Sequence, residues 1–94
     1  MVLQKFSKGR AAFGAAMVAM RKKHKLDQRE YARRVGISQT MVSEMERGQR
    51  DVAVWDIEPL ARGYGETEKA LFDLFVQLRD SDAPVMPSAE GTEE

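Results

Sequence analysis

The sequence predicts an all-α fold built from five short helices. Three observations carry that expectation. Apolar residues recur at helical spacing, side chains suited to capping stand just before several of those stretches, and glycines stand where they stop.

The first helix is expected from near Ser7 to near His24, with Phe13, Met17 and Met20 at i, i+4 and i+7 forming one apolar stripe. Its small residues Ala11, Ala12, Gly14, Ala15 and Ala16 allow another element to come close. Asp27 is the N-cap of the second helix, and Glu30 follows at capping-box spacing. That helix runs to Val35 and buries Tyr31, Ala32 and Val35, and Gly36 supplies the backbone freedom that ends it. Ser38 caps the third helix. Val42 and Met45 face inward, while Gln39, Thr40, Ser43, Glu44 and Arg47 share the other side, and Gly48 stops the helix.

A loop covers residues 49–53, and the fourth helix spans about Val54 to Gly63. Pro59 must sit near its first turn or kink it, and Gly63-Tyr64-Gly65 is its exit. Thr67 caps the fifth helix, which runs to about Arg79. Leu71, Leu74 and Leu78 form one apolar line on it, and Phe72, Phe75 and Val76 form another. A helix that is apolar on more than one side must be buried on more than one side. The chain thus divides into an N-terminal extension with the start of the first helix (1–12), a helical domain (13–79), and an acidic tail of disordered composition (80–94).

Ninety-four residues make one small domain, marginal by itself, for which dimerisation is a common remedy. The absence of cysteine excludes disulfides and thiolate metal sites, and the single His24 has no carboxylate cluster to share a metal with. No metal or cofactor is expected. Met17, Met20 and Met45 read as core packing. The longest apolar run, Ala11 to Met20, has ten residues and is too short for a bilayer. Arg21-Lys22-Lys23 follows it where a signal peptide would need a small-residue cleavage site, so a cytoplasmic protein is expected.

The net charge of zero conceals a polarity. Residues 1–50 carry twelve Lys/Arg against four Asp/Glu, a net of +8, and residues 51–94 carry three against eleven, a net of −8. Such asymmetry points to nucleic-acid contact by the basic half, although the zero total weakens non-specific attraction to DNA.

Leu26 to Gly48 is the most informative stretch. It reads as two short helices joined by a tight glycine turn, with polar side chains gathered on one face of the second. That is the layout of a helix-turn-helix, whose second helix enters the DNA major groove. Gln39 offers a donor and an acceptor that suit the N7/N6 edge of adenine, and Thr40 a methyl for thymine and a hydroxyl. Glu44 can accept from cytosine N4 but repels phosphates. Arg29, Arg33 and Arg34 flank the groove and add salt-dependent affinity without reading sequence.

The pattern from Phe13 to Gly65 resembles the Cro/C1-type helix-turn-helix family, also called the xenobiotic-response-element (XRE) or lambda-repressor-like family. The resemblance is carried by Met20-Arg21, Leu26-Asp27-Gln28, Ala32 at the helix crossing, Val35-Gly36-Ile37-Ser38 at the turn, Val42 through Glu46-Arg47-Gly48, and Leu60-Ala61 with Tyr64-Gly65. It implies a five-helix lambda-repressor-like DNA-binding domain with a C-terminal helix for dimerisation. It also implies roles for individual residues. Gln28 looks like a phosphate contact at the start of the second helix. Gln39, Thr40, Ser43 and Glu44 resemble groove-facing readers of bases. Ser38, Arg47, Gln49 and Arg50 look like backbone contacts, and Arg21 with Glu46 resembles an internal ion pair. Val52 stands where many members have proline, so the loop is less pre-shaped here.

These readings converge on a bacterial or phage transcription regulator of repressor or controller type. It is expected to bind an inverted repeat in double-stranded DNA as a homodimer formed through Leu71, Phe72, Phe75 and Val76. The alternative is an antitoxin or protein-interaction module of the same fold that binds a toxin or an RNA polymerase subunit through the fifth helix and acidic tail. An enzyme is disfavoured because the groove face holds no nucleophile–base–orienter set.

Overall fold

The computed structural model describes the backbone of residues 2–81 and the side chains of residues 8–81. It contains five helices: α1 (Val2–Lys23), α2 (Gln28–Val35), α3 (Gln39–Glu46), α4 (Ile57–Tyr64) and α5 (Glu68–Arg79). A single 3₁₀ turn, Val54–Asp56, leads into α4, and no strand occurs among the described residues. The expected acidic tail lies, from residue 82 onward, outside the described residues.

The capping chemistry sets most of the boundaries. Asp27 accepts from the Glu30 N–H at 2.8 Å, Ser38 from Met41 N–H at 3.1 Å and Thr67 from Ala70 N–H at 3.1 Å. Glu30 does not close a capping box, because its carboxylate turns to Arg33 and Arg34. Gly36 ends α2 in the left-handed region at φ 86°, and the N–H groups of Gly36 and Ile37 both return to the Ala32 carbonyl.

Two boundaries differ from expectation. Helix α1 begins at Val2, ahead of Ser7, since Val-Leu-Gln-Lys-Phe contains neither glycine nor proline to stop it. The stretch expected to open α4 at Val54 is a 3₁₀ turn instead. Pro59 then falls third in α4, where its missing N–H costs nothing, and Gly63 lies inside the helix, with Gly65 as its left-handed cap.

The core gathers Phe13, Ala16, Met17 and Met20 of α1, Tyr31 and Ala32 of α2, and Val42 and Met45 of α3 with Ile57, Leu60, Ala61, Tyr64 and Leu71. Val35 is only half-buried at its edge. Helix α1 is the central element, packing on both α3 and α5, while α5 also packs on α4. The small residues of α1 permit this. A Cβ on Gly14 would come within 2.5 Å of the carbonyl oxygens of both Met45 and Glu46, so α1 crosses the end of α3 almost backbone to backbone.

The two-sided burial of α5 is met only in part within one chain, with Leu71 and Phe75 packed inward and Phe72 left exposed. Leu71 is 0% exposed, and the Phe75 ring meets Phe13 edge-on at 5.6 Å between centroids. Leu71 is therefore corrected from a dimer contact to a core residue. A groove of about 630 Å³ remains open beside it, lined by Phe13, Val52, Val54, Ile57, Phe72 and Phe75 among others. No helix among the described residues is long and apolar enough to cross a membrane.

Candidate nucleic-acid interface

Helices α2 and α3 pack against each other across the Gly36–Ser38 turn. Their short length and clean caps make the first turn of α3 a defined surface. Gln39 and Thr40 stand there with exposed side chains, as does Ser38, whose Oγ is occupied in capping. On the opposite face Val42 is fully buried and Met45 nearly so, which fixes the helix's rotation.

Farther along α3 the polar face is less open. Ser43 and Glu44 are half-buried, and each is engaged by an arginine. Arg47 donates to Ser43 Oγ, and Arg50 donates Nε to Glu44 Oε1 at 2.9 Å. Arg47 Nε also donates to Gln49 Oε1 at 3.3 Å. The Gln49 N–H donates to the Glu44 carbonyl, so Ser43, Glu44, Arg47, Gln49 and Arg50 form one connected group.

Along α2, Arg29 and Arg33 are exposed. Glu30 holds Arg33 through two bonds, at 2.6 and 3.2 Å, and its own pKa is lowered, first by those bonds and then by Arg34. Arg34, also exposed, donates Nε to Glu30 Oε2 at 3.3 Å and Nη1 to the Gly63 carbonyl of α4 at 3.5 Å.

Gln28 departs from its expected place. It is 2% exposed, and its amide donates to Glu46 Oε1 at 2.8 Å. The expectation of a phosphate contact is corrected: the capped first turn of α2 delivers this side chain to the interior. There it meets the buried pair of Arg21 and Glu46, whose side chains are 3% and 0% exposed. Arg21 also donates Nη1 to the Leu26 carbonyl at 3.0 Å. The group joins α1, α2 and the last residue of α3.

Sequence reasoning overlooked the apolar pair Val54 and Trp55, which are 62% and 78% exposed. Their signal was present: two large apolar residues just ahead of a proline-containing helix. A helical reading of Val54 to Gly63 hid it. Phe72, at 41% exposure, shares the groove with Val54.

A family model described as a helix-turn-helix domain matches residues 12–74 of the chain. No curated protein matches it.

Proposed function

The chain belongs to the helix-turn-helix domain family, and on that premise we propose that it is a cytoplasmic transcription regulator that reads an inverted repeat in double-stranded DNA as a homodimer. The observation that carries this reading is the pairing of Gln39 and Thr40, both exposed on the first turn of a helix whose other end is locked into the core by Glu46. That turn is the part of a recognition helix that reaches base edges. Arg29 and Arg33 on α2, with Arg47 and Gln49 after α3, supply donors for the phosphate backbone on either side.

The dimer part of the proposal draws support from a different surface. Phe72, Val54 and Trp55 leave large apolar side chains in water, which a second copy would cover. Phe75 and Val76, half-buried, would lie at the margin of that contact. The same exposed residues favour the second reading, in which a toxin or an RNA polymerase subunit occupies this face.

Selection of bound duplexes from random DNA tests the reading. An enriched inverted repeat is the expected result. Failure to enrich any sequence, with the chain folded, would favour the protein-interaction reading instead.

A further inference from the structure

Glu44 poses a problem for a DNA-reading surface, because a bare carboxylate there is repelled by phosphates. The structure supplies a partner. Arg50 brings Nε and Nη2 to within 2.9 and 2.8 Å of Glu44 Oε1. Both contacts fall on one oxygen, and Glu44 Oε2 has no hydrogen-bond partner among the described residues.

The loop that returns Arg50 to α3 is held at several points. The Gln49 N–H donates to the Glu44 carbonyl at 2.8 Å. Gly48 turns at φ 72° against α1, where a Cβ would come within 3.0 Å of the Ala11 Cα. Arg10 holds Asp51 at 3.1 Å on the far side. Arg50 therefore sits between Gln49, held by its backbone N–H, and Asp51, paired with Arg10 at the surface, in a loop that lacks the pre-shaping a proline at position 52 would provide.

We propose that Arg50 is a positioning residue for sequence reading, which compensates the charge of Glu44 and leaves Oε2 to accept from the exocyclic amine of a cytosine in the major groove. Each half-site then holds a C·G pair opposite Glu44. Cytosine is preferred over adenine because adenine places the N7 acceptor beside its amine, facing the carboxylate lone pairs. This inference rests on the DNA-reading function above, and it gives Arg50 a task distinct from a phosphate contact. A phosphate contact weakens binding to every sequence alike, whereas a residue that positions a base reader changes discrimination at one base pair.

The test titrates the parent chain, Glu44→Ala, Arg50→Met, Arg50→Lys and the double variant Glu44→Ala/Arg50→Met. The targets are the selected duplex and a set carrying single base-pair changes. The parent should disfavour changes at one C·G pair per half-site by roughly 5- to 150-fold. Glu44→Ala and Arg50→Met should each lose most of that ratio at this pair alone, the double variant should lose little more, and Arg50→Lys should restore part of it. Glu44 and Arg50 side chains are 32% and 43% exposed, so thermal melts of these variants should stay near the parent's and separate reading from folding. The inference is overturned by an Arg50→Met chain that weakens every duplex by one factor with the ratio intact, or by a Glu44→Ala chain that keeps the preference. A parent chain that selects no sequence overturns the DNA-reading function itself, so the two failures are distinct.

Discussion

Arg21 grips Glu46 through two parallel hydrogen bonds, Nε to Oε2 at 2.8 Å and Nη2 to Oε1 at 3.0 Å, and so ties the last turns of α1 to the final residue of α3. The fork is shielded from water, with Gln28 satisfying Oε1 further and the Leu26 carbonyl satisfying the guanidinium. A pair built this way is expensive to break singly, because the survivor is left as an uncompensated buried charge.

Glu46→Gln and Arg21→Met should each lose about 3–5 kcal/mol of stability in urea unfolding. The double replacement Arg21→Met/Glu46→Leu should recover most of that, since neither charge then needs a partner. Single variants as stable as the parent would mean that the pair contributes nothing to locking α3.

Gly14→Ala should destabilise by about 1–3 kcal/mol, because its methyl meets two backbone carbonyls that cannot move independently. Gly9→Ala is the control. It lies in the same helix with nothing within 4 Å of the added Cβ, so it should be neutral or stabilising by up to about 1 kcal/mol. Equal melting temperatures for the two variants would contradict the close crossing of α1 and α3.

Gln39→Ala should cost about 1–3 kcal/mol of DNA affinity and relax preference at one position of each half-site. Arg33→Ala should weaken all sequences alike and reduce the salt slope by about 1. Half-site centres should lie roughly 10 base pairs apart, the spacing of a recognition-helix pair about 34 Å apart. A Gln39→Ala chain that binds cognate and scrambled duplexes as tightly as the parent would remove α3 as the reader.

Sedimentation at micromolar concentration should give twice the chain mass. Phe72→Asp should return the monomer without unfolding it, because that ring is already partly in water, whereas Leu71→Asp should unfold the domain. A parent chain that stays monomeric at high concentration would remove the homodimer.

Glu66 accepts from Lys23 at 2.9 Å and meets His24 Nε2 at 2.6 Å, joining the end of α1 to the α4–α5 turn. Its pKa is lowered, first by the Lys23 bond and then by His24. The folded value lies below the unfolded one, so the contribution is full above the ordinary carboxylate range and is lost as pH falls through the folded value. Melts between about pH 6 and about pH 3 should therefore show a smaller acid loss in Glu66→Gln than in the parent. Identical pH profiles would show that the cluster does not contribute to stability.

What the sequence by itself determined is local. Asp27, Ser38 and Thr67 cap where their side chains reach the third N–H downstream, and Gly36 ends α2 because it tolerates a left-handed backbone. Those signals act within a few residues, so they are legible without the fold. The exposed first turn of α3 follows from them, since Val42 and Met45 set which side faces inward.

What only the tertiary structure decided depends on which surfaces meet. The apolar excess of α5 was legible, but whether a second chain or the same chain covers it was not. Leu71 is claimed by α5's own neighbours, and Phe72 with Val54 and Trp55 is left outside. Gln28 carries the same polar amide whether it faces phosphate or interior, and only the approach of α3 to α1 turns it toward Glu46. Arg50 and Glu44 are six residues apart, and their contact exists because Gly48 packs on Ala11 and brings the loop back over the helix. Burial and long-range pairing are properties of the assembled surfaces, and no single helix encodes them.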